Sequence, residues 1–122
     1  MFLFLGGQTM KKAYRVKKNR DIEAIIHYRK VVRTTYFKVF KKPQTVVSHY
    51  RVAISVPKKF GNAVERNRIK RQVRAIVSNM VVSQGWDILI IVNKEAKGLA
   101  FSILEDQLTK SFKKQNLLEV KS

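Results

Sequence analysis

Five cationic side chains fall within nine residues near the middle of the chain. They are Arg66, Arg68, Lys70, Arg71 and Arg74, with Asn67 among them. A guanidinium offers two parallel hydrogen bonds to a phosphate, an ammonium adds a point charge, and an amide hydrogen-bonds a sugar or a base. No acidic residue occurs between Glu65 and Asp87, so the segment has no counter-ions of its own. These residue types predict a surface for an anionic partner; a basic face that is only solvated is the alternative.

A single helix is predicted to position these cations. Six apolar residues recur at spacings of three and four, the period of a helix with one buried face: Ile69, Val73, Ile76, Val77, Met80 and Val81. Asn62, followed three residues later by Glu65, predicts a capping box at the start of the helix. At about 100° per residue, Arg66 and Arg68 project toward opposite flanks of the apolar stripe. One helix start is therefore expected to present cations in two directions.

The segment that opens this helix resembles a known family signature. It reads Gly61-Asn62-Ala63-Val64-Glu65-Arg66-Asn67-Arg68-Ile69-Lys70-Arg71 and follows Val56-Pro57-Lys58-Lys59. This resembles the signature of the protein subunit of bacterial ribonuclease P, the ribonucleoprotein that removes the 5′ leader from precursor tRNA. The resemblance covers residues 10–118 and, outside the signature, rests on element order more than on identities.

The resemblance implies where two RNAs would bind. The family holds the leader in a central cleft formed by the first helix, the sheet face and the start of the basic helix. Carried onto this sequence, the leader-binding residues are Ile22, Ile26, Lys38, Phe40, Arg66, Asn67, Lys70 and Arg74. The residues expected to face the RNA subunit are Lys58, Lys59, Arg68 and Arg71. Ile22 and Ile26 stand where the family commonly has aromatic side chains, so this helix is expected to stack bases less well.

Net charge favours a nucleic acid as the partner. Lys and Arg number 26 against 8 Asp and Glu, which gives a formal charge of +18. Such a charge opposes the compact state unless a polyanion neutralises it. A ribosomal-type RNA-binding protein or an RNA chaperone would have the same basic helix without a leader cleft. A cationic membrane-surface protein is a third hypothesis, motivated by the charge and the apolar residues 1–5, and it is the weakest because the basic helix commits its apolar face to a core.

The sequence contains no recognisable catalytic constellation. It has no acidic pair placed for metals, no nucleophile beside a histidine and no glycine-rich phosphate loop. The resemblance implies that the RNA subunit and its bound Mg²⁺ do the chemistry, and that the protein binds RNA as a monomer in a 1:1 ribonucleoprotein. The absence of cysteine fits a reducing compartment such as the bacterial cytoplasm.

Other segments predict the elements around the basic helix. Residues 34–41, 49–56 and 86–92 read as strands, and the last is apolar on both faces. On the first of these strands Phe40 shares a face with Lys38, while Phe37 lies opposite; which face packs the core stays open. Asn19 or Asp21 is expected to cap the first helix. Ser102 with Glu105 predicts a capping box for the last helix, whose buried face is Phe101, Leu104, Leu108 and Phe112.

Together these elements predict an α+β domain over residues 10–122, after a disordered extension at residues 1–9. The resemblance implies the order αβββαβα, with helices packed on a small mixed four-stranded sheet. It also implies a left-handed crossover around the basic helix and a short third strand near residues 60–63.

Overall fold

A computed structural model describes residues 14–119. The predicted N-terminal extension, residues 1–9, lies outside this range. The helices are α1 (Asn19–Tyr28), α2 (Ala63–Ser78) and α3 (Phe101–Lys114), and the strands are β1 (Val31–Arg33), β2 (Phe37–Pro43), β3 (Arg51–Ser55) and β4 (Trp86–Val92). Two short 3₁₀ turns, Lys58–Phe60 and Lys94–Ala96, follow β3 and β4.

The four strands form one mixed sheet in the order β1-β2-β4-β3. β2 runs antiparallel to both β1 and β4, whereas β3 runs parallel to β4 and is joined to it through α2. The predicted α+β class, the four-stranded mixed sheet and the order αβββαβα are confirmed. The handedness of the β3-α2-β4 crossover stays a prediction.

The position predicted for the short strand is wrong. The short strand is β1, in which Val31 lies opposite Phe40, and not a segment near residues 60–63. Pro57 has no N–H to offer a strand ladder, and the chain turns after it so that Phe60 enters the core. The first predicted strand also begins later, because residues 34–36 form the turn between β1 and β2. Thr34 closes this turn by accepting a hydrogen bond from the Phe37 N–H through its hydroxyl, at 3.1 Å.

Alternate side chains of the sheet enter two separate cores. On one face Phe37 and Val39 pack with the apolar stripes of α2 and α3. On the other face Phe40 packs with Ile25 of α1 and with Leu89 of β4. β4 contributes to both cores, as its two-sided apolar sequence predicts.

Some predicted helix ends differ from the observed ones. α2 ends at Ser78, so Met80 and Val81 follow the helix, and Val81 is exposed. The N-cap of α1 is Lys18, whose carbonyl accepts from the amides of residues 21 and 22 and whose ammonium has no acceptor for a side-chain cap. The predicted caps at Asn19 or Asp21 are wrong, because both residues already lie inside the helix.

The capping box predicted for the last helix is also wrong. α3 begins at Phe101 after Ala100, and the Leu104 amide bonds the Ala100 carbonyl. This places Ser102 inside the first turn, where its hydroxyl is not at the cap. Leu104, Leu108 and Phe112 form the buried face as predicted, whereas Phe101 stays exposed.

Candidate nucleic-acid interface

The start of α2 is fixed by the capping box that the sequence predicts. The Glu65 amide donates to Asn62 Oδ1 and the Asn62 amide donates to Glu65 Oε1, each at 2.9 Å. A Cβ added at Gly61 would collide with the Glu65 carboxylate, so a larger residue there would displace this side chain from the cap. Arg66 Nε donates to the Gly61 carbonyl at 3.2 Å. The first turn is thereby held rigid, and the directions of the cations that follow are set.

Three predicted leader-binding cations lie along one flank of α2. Arg66, Lys70 and Arg74 follow one another at intervals of four residues, which places them in a row on one side of a helix. All three are half-buried, whereas Asn67 beside them is exposed.

Arg74 lies in a cleft of about 390 Å³ between α1 and α2. Its floor is the middle of β3, residues 52–54, and Ile22 of α1 forms the opposite wall. Ile26, one turn after Ile22, is 41 % exposed on the same side of α1. Of the predicted leader-binding residues, Ile22 and Arg74 are brought together directly in this cleft.

The segment before α1 completes the cleft, and the sequence did not identify it as part of the site. Arg15, Val16 and Lys17 line the cleft beside β3. The Val16 amide donates to the Val52 carbonyl at 3.0 Å, so this arm runs along the β3 edge. Tyr14 anchors it by stacking on His49, with ring centroids 4.4 Å apart. The sequence pattern that could have identified this arm is Val16 between the cations Arg15 and Lys17, which is typical of an edge segment with one buried residue.

The cleft brings two guanidinium groups, those of Arg15 and Arg74, close to each other. Burial lowers the pKa of the Arg74 guanidinium, and the nearby Arg15 lowers it further. An anion in the cleft would remove both penalties, because it would replace lost hydration and offset the repulsion between the two cations.

Lys38 and Phe40 lie on the sheet face that α1 covers. Phe40 is 7 % exposed and packs beneath α1, so it offers a base little open ring surface. Lys38 is half-buried one row further along the same face, between Arg33 of β1 and Ile91 of β4. Phe37, on the opposite face, is fully buried in the α2/α3 core.

The other flank of α2 borders a second depression. Arg68 lines a pocket of about 290 Å³ together with residues 96–99, which follow β4. Arg71 is exposed on the outer side of α2, and Lys58 and Lys59 are exposed in the 3₁₀ turn before the helix. The four residues predicted to face the RNA subunit are therefore accessible, and Arg68 and Arg74 open into different depressions.

Within residues 14–119, no three His, Asp or Glu side chains are grouped so that they could hold a metal ion. Within the same limits, no helix has the length and apolar character needed to cross a membrane.

Similar proteins share both the sequence and the fold. The family model described as Ribonuclease P matches residues 10–116. The chain is 34% identical over 112 residues to the ribonuclease P protein component of Acholeplasma laidlawii, covering 90% of this chain and 96% of that protein. It is 33% identical over 114 residues to the corresponding protein of Bacillus mycoides, covering 92% and 99% of the two chains.

Two solved structures show the same arrangement of elements. The RNase P protein of Staphylococcus aureus is 34% identical and superposes with a TM-score of 0.81, covering 88% of this chain and 100% of that one. The RNase P protein of Thermotoga maritima is 27% identical with a TM-score of 0.75, covering 88% and 98%. The signature at the start of α2, the fold and these matches agree, and the chain belongs to the family of ribonuclease P protein components, which serve a ribonucleoprotein endoribonuclease of tRNA 5′ maturation.

Proposed function

We propose that this protein holds two RNAs on opposite flanks of α2. One flank binds the catalytic RNA subunit, and the other, with the cleft beside α1, binds the 5′ leader of precursor tRNA. The observation that carries this division is the placement of Arg68 and Arg74 in two separate depressions on either side of the same helix. A single straight RNA strand does not reach both.

The cleft suits a short single-stranded segment. Its floor is apolar, its rim carries Arg15, Lys17 and Arg74, and Ile22 forms one wall. Single-stranded RNA is bound by such a combination, in which cations follow the backbone and apolar side chains cover bases. The residues assigned to the leader are Ile22 and Arg74, which line the cleft, together with Ile26, Lys38, Phe40, Arg66, Asn67 and Lys70. Phe40 is assigned an indirect role in leader binding, because its ring packs against Ile25 and so supports α1.

The second surface suits a structured RNA. Lys58, Lys59, Arg68 and Arg71 are exposed and belong to one short stretch around the start of α2. Cations on a rigid helix end position phosphates without reading sequence. These four residues are assigned to the RNA subunit, in a complex of one protein with one RNA that operates in the bacterial cytoplasm.

Hydrolysis is assigned to the RNA subunit with its bound Mg²⁺. The protein contributes by neutralising phosphates and by holding the leader of the substrate. It therefore acts on assembly and on substrate affinity rather than on the reacting atoms.

Single substitutions on the two flanks test this division. Arg68→Ala is expected to weaken assembly with a bacterial ribonuclease P RNA and to leave precursor affinity of the assembled enzyme nearly unchanged. Arg74→Ala is expected to do the reverse, and its effect should disappear with mature tRNA, which has no leader. Lys110→Ala, at an exposed position of α3 that lines neither depression, is the control for loss of one positive charge. Equal defects of Arg68→Ala and Arg74→Ala in both assays would show that α2 is one undivided basic surface.

A further inference from the structure

The pocket beside Arg68 has a shape and lining that phosphate binding alone does not require. It lies between the first half of α2 and residues 96–99, and its volume is about 290 Å³. Phe60, Ile69 and Ala96 form its floor and are almost completely buried. A surface that only neutralises phosphates needs exposed cations, not a cavity with an apolar floor.

Polar groups surround this floor. Arg68 and Gln72 project from α2, and Lys97 projects from the loop opposite. Lys97 Nζ lies 3.3 Å from Glu65 Oε2, so this ion pair joins the loop to the first turn of α2. The Glu65 side chain thus takes part in both the capping box and the ion pair with Lys97. Because Glu65 offsets the charge of Lys97, the charge of Arg68 leaves the rim net positive.

We infer that this pocket receives one unpaired nucleobase of the RNA subunit. The inference rests on the proposed function, because it deepens the assignment of the Arg68 flank to that RNA. The volume is just below the range typical of pockets for drug-sized ligands, which suits a single ring system. RNA is commonly recognised through bases that leave the stack, lie on apolar side chains and hydrogen-bond through their edges.

Each part of the lining has a role in this arrangement. The apolar floor covers one face of the base, and the Gln72 amide, which both donates and accepts, bonds the base edge. Arg68 and Lys97 hold the phosphates on either side of the extruded nucleotide. A positive rim around an apolar floor favours a nucleotide over an apolar protein side chain or a cation.

Substitutions at Gln72 test the pocket without changing its charge. Gln72→Ala removes the amide and is expected to weaken binding of the ribonuclease P RNA about 3- to 10-fold. Gln72→Phe fills the opening and is expected to weaken it at least about 10-fold, because the base is excluded. The matched control is Gln107, which is also helical and half-buried but lies on α3; its Ala and Phe variants should bind as the wild type does.

Salt dependence separates a base contact from a phosphate contact. Both Gln72 variants should keep the wild-type slope of log K against log salt, whereas Arg68→Ala should make the slope shallower by about 0.7 to 0.9. Chemical probing of Watson–Crick edges should show an unpaired base that is protected in the wild-type complex and reactive in the saturated Gln72→Ala complex. Thermal melting checks that each variant is folded; if Gln72→Phe does not fold, the Gln72→Ala affinity and the probing decide.

The outcomes distinguish this inference from the proposed function. If the wild-type protein binds the RNA but Gln72→Ala neither weakens binding nor exposes a base, the pocket is empty in the complex and the inference fails alone. If Gln72→Ala makes the salt slope shallower, the pocket acts through phosphates and the inference also fails. If the wild-type protein does not bind the RNA at all, the proposed function fails and the inference fails with it.

Discussion

Arg51 and Asp87 face each other across the parallel strands β3 and β4 and share two hydrogen bonds. Arg51 Nε donates to Asp87 Oδ1 and a terminal nitrogen of the same guanidinium donates to Oδ2, both at 2.8 Å. Asp87 is 4 % exposed, so its carboxylate depends on this one partner for much of its solvation. The hydrogen bonds to Asp87 raise the pKa of Arg51.

Breaking this pair should destabilise the fold. Arg51→Met leaves the Asp87 carboxylate buried without its partner and is expected to cost about 3–5 kcal/mol in the free energy of unfolding. Urea denaturation measures the loss. The double variant Arg51→Met/Asp87→Leu removes both charges and should recover most of it. A loss below about 1 kcal/mol in Arg51→Met would mean that water already solvates Asp87.

Substitutions at Phe40 should distinguish a packing role of its ring from stacking of the ring on a leader base. Phe40→Ala removes a buried ring from the α1 core and is expected to cost about 3–5 kcal/mol of stability. It should also weaken precursor binding, because α1 and Ile22 lose their support. Phe40→Leu keeps most of the packing and should retain precursor affinity. If Phe40→Leu is stable and still loses affinity for precursor but not for mature tRNA, the ring itself contacts a leader base.

Glu65 should make the start of α2 sensitive to acid. The hydrogen bond from the Asn62 amide, and then the interaction with Lys97, lower the pKa of Glu65 from its usual 4.5. The unfolded chain therefore binds more protons in the window just below pH 4.5, and the stability from this carboxylate is present above that pH and lost as the pH falls through the folded pKa.

The comparison variant for this effect is Glu65→Gln, which can keep the capping hydrogen bond but has no charge. Thermal melting at a series of pH values should show the wild type more stable than Glu65→Gln at neutral pH, with a difference that shrinks as the pH falls below 4.5. A difference that is constant across this range would contradict the charged role of Glu65.

RNA affinity should fall steeply with salt. With a formal charge of +18, most of the binding free energy is expected from phosphate neutralisation. For a single-stranded leader, log K should decrease with log salt by about 0.7 for each phosphate contacted. Filter binding between about 50 and 200 mM salt measures this slope. An affinity that does not change over this range would show that non-ionic contacts dominate.

The protein without RNA should not cleave precursor tRNA. The cations assigned to substrate and RNA binding are expected to neutralise phosphates rather than to activate a water molecule. Highly purified protein, free of RNA, should give no 5′-mature product with or without Mg²⁺, while addition of a ribonuclease P RNA restores cleavage at low Mg²⁺. Metal-dependent cleavage by the RNA-free protein would refute the assignment of chemistry to the RNA.

Local patterns predicted the basic helix most fully. The Asn62–Glu65 capping box and the buried stripe from Ile69 to Val77 follow from spacing alone, because helix period and cap chemistry are local. The end of α2 did not follow, since Met80 and Val81 continue the period after the helix has ended. Met80 packs partly against the core, Val81 is exposed, and the chain continues into the Val82–Leu118 bridge.

Features that depend on distant partners could not be read from the sequence. β1 is three residues long and exists because Val31 and Val32 pair with β2. Lys41 counts as a surface cation by composition, yet it is 6 % exposed and its Nζ lies 4.2 Å from the centre of the Trp86 ring. The cleft likewise depends on the arm at Arg15–Lys17, whose position is set by Val52 and His49, more than 30 residues away.

The arm beside β3 also has a consequence for the solution behaviour of the protein. A strand at the edge of a sheet presents unpaired N–H and C=O groups on which another chain can add a strand. Here the hydrogen bond from Val16 to Val52 occupies part of one edge, and the other edge is β1, which is only three residues long and carries Arg33. Loss of the residues before Lys17 would leave β3 as an open template, so a shortened chain should aggregate at concentrations at which the complete arm keeps copies apart.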